Sequence, residues 1–268
     1  MKGLFLLIVG LVLGGLVVGL ALNPGCASCG GADDSGDGLY QVSTFNALLE
    51  GLFDGETTVG YLEEKGDFGI GTFNGLDGEM VVLDGVFYQV RDTGVVSVAS
   101  PGTGVPFASV VFFQPDDEYL VDGVVNYSVL QSRVDERLPT VNLPYAVKVS
   151  GVFEFVKTRA PHMQEKPYPS LVDALANQSV FEYYNVSGTL VGFRLPEYLN
   201  GVNVPGYHLH FISGDGSMGG HLLDFAVENP GVEVDYKYDY SIGLPDAAEF
   251  NSVELSGDRT EEIEKVEK

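Results

Sequence analysis

Positive charge is what this chain has least of. Lysine and arginine number 14 against 38 acidic residues, a formal charge of -24 over 268 residues. A nucleic-acid partner needs a basic surface that neutralises phosphates and releases their counterions, and this balance argues against one. It argues equally against docking on anionic lipid. The charge reads as a solvated acidic surface, compatible with a salty or extracellular setting.

Cysteine is scarcer still. Cys26 and Cys29 are the only two, and one C-x-x-C pair offers two ligands, too few for a structural zinc site. Several catalytic signatures are also missing. There is no G-x-x-x-x-G-K loop and no credible strand–GxGxxG–helix unit to cradle phosphates. Neither an H-E-x-x-H helix nor a G-x-S-x-G elbow occurs.

Glycine, by contrast, is abundant. Its 35 copies predict many tight turns, as in a sheet-rich protein. The front end is apolar: residues 1–22 place Lys2 before about twenty residues without charge, long enough to span a bilayer. Lys2 on the inner side would send the remainder outward. Residues 1–22 are therefore read as a signal peptide or membrane anchor, with residues 3–22 as the anchoring stretch. Residues 23–38 are read as a polar, glycine-rich flexible linker. Cleavage, lipid attachment at Cys26 and a retained anchor all fit. The expected location is exported: extracellular, or anchored on the outer face.

From Leu39 onward the pattern is globular. Ser43 is a plausible N-cap for a helix carrying Phe45, Leu48, Leu49 and Leu52, with Gly55 just past its end. Short β-like runs follow. EMVVL and VFYQV are joined by Asp84-Gly85, a strong hairpin signal. YPSLVDALANQ predicts a second helix with Leu171, Ala174 and Leu175 on one face, followed by more strands. The expected class is α+β: two similar halves of largely antiparallel or mixed sheet with flanking helices, 39–170 and 171–268. The tail DRTEEIEKVEK could be a frayed helix or an extended arm.

Only four histidines occur, and three fall in PGYHLHFISGDGSMGGHLLDF, Pro205 to Phe225. In a strand alternate side chains face the same way, so His208 and His210 project together while Tyr207, Leu209 and Phe211 face the other side. The glycines and Asp215 that follow allow a reversal, and a return strand HLLDFAV brings His221 beside the pair. Three converging imidazoles suit a zinc ion with a position left open for substrate, although copper, nickel and iron also accept imidazole. His162, in RAPHMQ, lies elsewhere and is expected to be incidental.

With these residues in view, the chain resembles the alpha-acetolactate decarboxylase family from about Tyr40 to its C-terminus. The likeness rests on GDFGIGTFNGLDGEMVVLDGVFYQV, on RAPHMQEKPYPSL and on H-x-H-x10-H. It implies two sheet-containing halves around a zinc site, often in a dimer, and conversion of 2-acetolactate to acetoin and carbon dioxide. Carried over motif by motif, the metal histidines are His208, His210 and His221. A glutamate near the metal falls on Glu79, an arginine on Arg159 and a pocket threonine on Thr72. The family also brings a tail glutamate to the metal. Among Glu261, Glu262, Glu264 and Glu267, spacing from the histidines favours Glu267.

The chemistry fits such a site. Decarboxylation of a 2-hydroxy-3-keto acid leaves an electron pair that the adjacent ketone can accept, and a dication on the hydroxyl and ketone oxygens would stabilise that charge. No organic cofactor is then required. Arg159 has a fork suited to a carboxylate, and Glu79 could transfer the proton. Two other readings fit the residues: a secreted zinc-dependent hydrolase, and an anchored metal- or small-ligand-binding module without turnover.

Overall fold

The computed structural model describes residues 38–267. The leader read at 1–22 and nearly all of the linker read at 23–38 lie outside these residues; Gly38 already opens the first strand. In chain order the strands are β1 (Gly38–Val42), β2 (Thr57–Thr58), β3 (Phe68–Thr72), β4 (Glu79–Leu83), β5 (Val86–Val90), β6 (Val96–Val98), β7 (Gly104–Val105) and β8 (Phe107–Val111). They continue as β9 (Asp117–Leu120), β10 (Val124–Val125), β11 (Tyr145–Ala160), β12 (Ser179–Leu195), β13 (Gly206–Ser213), β14 (Gly219–Glu228), β15 (Gly231–Tyr236) and β16 (Asp239–Gly243). The helices are α1 (Phe45–Leu49), α2 (Val59–Leu62), α3 (Tyr127–Asp135), α4 (Leu171–Ala174), α5 (Ala248–Ser252) and α6 (Thr260–Glu267). None of these helices is long and apolar enough to cross a membrane.

Two seven-stranded sheets carry the fold, as the α+β reading expects. The first runs β16-β1-β8-β3-β4-β5-β6, and the second runs β10-β14-β13-β12-β11-β15-β9. Strand β11 also pairs with β14, so β11 to β14 close on themselves. The sheets do not divide the chain at 170/171. Tyr145–Ala160 pairs along its length with Ser179–Leu195, which puts β11 in the second sheet. The late strand β16 returns to the first sheet, parallel to β1. Pairing therefore crosses the sequence boundary repeatedly, since β9 and β10 also join the second sheet.

An apolar layer joins the sheets. Phe68, Ile70, Val81 and Val90 from the first pack with Ala146, Val191, Phe193 and Ile212 from the second. Alternation along β13 sends Leu209 and Phe211 into a separate core with Phe153 and Phe225, behind the histidines. A third layer, from α1, α4 and α6, closes one end through Phe45, Leu49, Leu171, Ile263 and Val266.

Local chemistry sets the element ends. The N-cap of α1 is Thr44, whose hydroxyl accepts from the Ala47 amide at 3.2 Å; the expected Ser43 sits at φ 60 instead. The helix also stops earlier than its apolar spacing suggests, because Gly51 adopts φ 82 just beyond it. Asp84 and Gly85 both have positive φ, matching the expected two-residue hairpin between β4 and β5. The tail is a docked helix: Ile263 and Val266 are buried one turn apart, while Glu261 and Glu264 face solvent.

Candidate metal centre

The period of β13 puts His208 and His210 on one face, and antiparallel pairing puts His221 of β14 directly beside His210. Their ring centroids are 5.2, 5.0 and 5.3 Å apart. One nitrogen from each lies within 4.8 Å of the others, and all three rings are buried. Burial pushes every imidazole toward its neutral form, with the Arg159 charge acting in the same direction. His208 falls to about 3, and His210 and His221 also fall below the usual value. Neutral imidazoles are the protonation state a metal requires.

His210 defines its own tautomer. Nδ1 lies 2.8 Å from the Met80 carbonyl on β4. A carbonyl only accepts, so Nδ1 carries the hydrogen and Nε2 presents a lone pair. That Nε2 is buried without a hydrogen-bond partner, an expensive state for a polar atom unless a cation takes it.

Two carboxylates complete the donor set. Glu79 opens β4, opposite Thr72 on β3, and its Oε2 is 3.7 Å from His210 Nε2. Glu267, at the end of α6, places Oε2 3.5 Å from His208 Nε2 and 3.9 Å from His221 Nε2. Two donors each about 2.1 Å from a tetrahedral ion stand about 3.4 Å apart, so these separations are slightly wider than a closed shell. Orphan nitrogen, neutral rings and flanking carboxylates together fit a divalent metal. Burial pushes Glu79 up to about 8, with Arg159 opposing the shift and Glu267 adding to it. Burial likewise raises Glu267 to about 7, against the pull of Arg159.

Arg159 sits on β11, paired in register with His221, and is 3 % exposed. Its guanidinium donates to the Gln178 amide oxygen at 2.7 Å and to the Val266 carbonyl. Both acceptors are neutral, so the hydrogen bonds fix its direction; Glu79 and Glu267 feel its charge without a direct ion pair among the described residues. Gln178 has no motif that sequence inspection could have flagged. Thr72 donates its hydroxyl hydrogen to the Gly78 carbonyl at 2.7 Å, bracing the turn that delivers Glu79. Gly78 has φ 84, and a Cβ there would meet the Val90 carbonyl oxygen at 2.2 Å. The neighbouring Leu76 also has a left-handed backbone, φ 56, a strain of about 1–3 kcal/mol that surrounding contacts must offset.

All seven residues singled out in the sequence thus line one small cavity of about 40 Å³. His162 does not reach it and pairs with Asp92 instead. A larger cleft of about 670 Å³, beside Phe53, Lys166 and Phe250, holds none of the seven.

Comparison with known proteins agrees with the geometry. A sequence model described as alpha-acetolactate decarboxylase matches residues 39–257. An alpha-acetolactate decarboxylase of Methanosarcina mazei is 49% identical over 237 residues, covering 88% of this chain and 82% of the relative. One from Bacillus subtilis is 40% identical over 230 residues, covering 85% and 90%. The crystal structure of the alpha-acetolactate decarboxylase from Bacillus subtilis strain 168 superposes with a TM-score of 0.83 at 40% identity, covering 85% of this chain and 98% of that one.

Proposed function

The chain belongs to the alpha-acetolactate decarboxylase family, and from that premise we propose that it is a carboxy-lyase that converts 2-acetolactate to acetoin and carbon dioxide with a zinc ion. His208, His210 and His221 would hold the ion, with Glu79 and Glu267 beside it. When bound, the ion supplies a Lewis acid that draws negative charge off the substrate's hydroxyl and ketone oxygens. Zinc is favoured by the three-imidazole set.

The protein's own groups do the rest. Arg159 offers a planar fork to the substrate carboxylate. Gln178 and the Val266 carbonyl keep that fork aimed while leaving its charge intact. Breaking the C–C bond releases carbon dioxide and leaves an electron pair on the former C2. Glu79, beside the ion, is the group placed to pass a proton to that carbon. The apolar side chains that line the same cavity, Phe45, Leu48 and Phe107 among them, exclude competing water.

What carries this reading is the convergence of three neutral imidazoles, two carboxylates and one guanidinium on a single buried cavity. The direct trial is to supply 2-acetolactate to the purified protein and follow acetoin, before and after chelation. Acetoin that appears and then ceases on chelation is expected; none from metal-loaded protein would refute it. An exported location and a homodimer belong to the same proposal. Fractionation of intact cells tests the first, and sedimentation tests the second.

A further inference from the structure

The cavity is lined by two unlike sets of residues. One part of the lining is the polar set described above; the rest is mostly apolar, formed by Phe45, Leu48, Leu76, Phe107, Leu171 and Leu175. A 2-hydroxy-3-keto acid is divided in the same way. Its carboxylate, hydroxyl and ketone belong with the polar groups, and its alkyl substituents belong with the apolar ones.

Leu76 differs from the other five apolar residues. Five non-glycine residues among those described have positive φ, and Leu76 alone of them is hydrophobic. Glycine or asparagine takes that conformation more easily, and Gly75 beside it does so with φ 71. The turn is nonetheless pinned around a leucine. The Gly75 amide donates to the Phe53 carbonyl at 2.8 Å, and the Gln164 amide donates to the Gly75 carbonyl at 2.6 Å. The Asn74 side chain bonds both backbone groups of Gly55. Asp77 is held by Gln89 and Arg91. Two residues later the same turn delivers Glu79. The wall position of Leu76 is therefore tied to the group that carries the proton, and its side chain is 3 % exposed.

We infer that Leu76 is a specificity-determining residue, whose side chain limits the size of the alkyl group the substrate carries on C2. The inference rests on the decarboxylase reading, and the experiment separates the two. The purified full chain is given 2-acetolactate and its homologue with ethyl in place of methyl on C2, and kcat/KM is measured for each. Bound metal is measured in parallel. Wild type should favour the methyl substrate. Leu76→Gly, which suits the left-handed backbone, and Leu76→Ala should each raise the ethyl-to-methyl ratio about tenfold with metal content unchanged, since one methylene in an apolar pocket is worth about 10- to 200-fold. Leu76→Met, of similar volume, should keep the wild-type ratio. A ratio that stays at the wild-type value in Leu76→Gly or Leu76→Ala, with metal still bound, overturns the inference while leaving the decarboxylase reading intact. Wild type inactive on both substrates overturns the reading and the inference with it.

Discussion

Nδ1 of His210 lies 2.8 Å from the carbonyl oxygen of Met80. A strand of the second sheet is thereby tied to a strand of the first at the three-histidine cluster. The residue before Met80 is Glu79, whose carboxylate reaches the other nitrogen of the same ring at 3.7 Å. A one-residue slip of β4 would exchange the faces of Glu79 and Met80, so the register of the first sheet fixes both the tautomer and the carboxylate.

Arg159 is held by two neutral acceptors, and its charge is available to a carboxylate. Lysine keeps the charge and loses the fork. Arg159→Lys should lower kcat/KM for 2-acetolactate about 100-fold, about 2.7 kcal/mol, chiefly through KM. Steady-state kinetics measure it, and an unchanged KM would show that Arg159 does not bind the carboxylate.

Glu79 and Glu267, with pKa values near 8 and 7 in the metal-free protein, must lose protons when a dication arrives. At pH 7 metal binding should release about one to one and a half protons, and about one fewer in Glu79→Gln. Calorimetry in buffers of different ionisation enthalpy counts them.

The same shift fixes a stability trend. A carboxyl whose folded pKa is raised from 4.5 to about 8 contributes stability fully below pH 4.5 and loses it as pH rises through 8. Metal-free Glu79→Gln should therefore gain in Tm relative to metal-free wild type as pH goes from 5 to 9. A pH-independent gap would argue against the raised pKa.

The tail reaches the three histidines with Ile263 and Val266 packed against α1 and α4. Ile263→Ala should cost about 2–5 kcal/mol of local packing and free Glu267 from the site. Metal affinity should then fall about 10- to 100-fold while the far-ultraviolet spectrum of the sheets persists. Competition with a chelator reads the affinity.

Much of the site was legible before any coordinates. A two-residue period aligns His208 with His210 wherever that segment is extended, and a glycine-rich reversal can return only a nearby residue to the pair. Glu79, Arg159 and Thr72 carry no such signal. They lie roughly 50 to 150 residues from the histidines in the chain, and only resemblance to a family brought them forward. The helices were harder. Asn126 caps α3 through the Val129 amide at 3.0 Å, but only Leu130 and Val134 of that helix are buried, too sparse a stripe to stand out. The division between sheets was hidden for another reason: β11 and β12 pair over a long hairpin interrupted by a short helix, and local patterns do not reveal which sheet a strand joins.

The central claim is that the three imidazoles hold a metal and that this metal centre, with its neighbours, decarboxylates 2-acetolactate. Bound metal per chain and acetoin released, measured on the same preparations of wild type and His210→Ala, test it most directly. About one zinc per chain with acetoin formation is expected for wild type, and neither for His210→Ala in a folded protein. Undiminished acetoin from His210→Ala without metal would contradict the account.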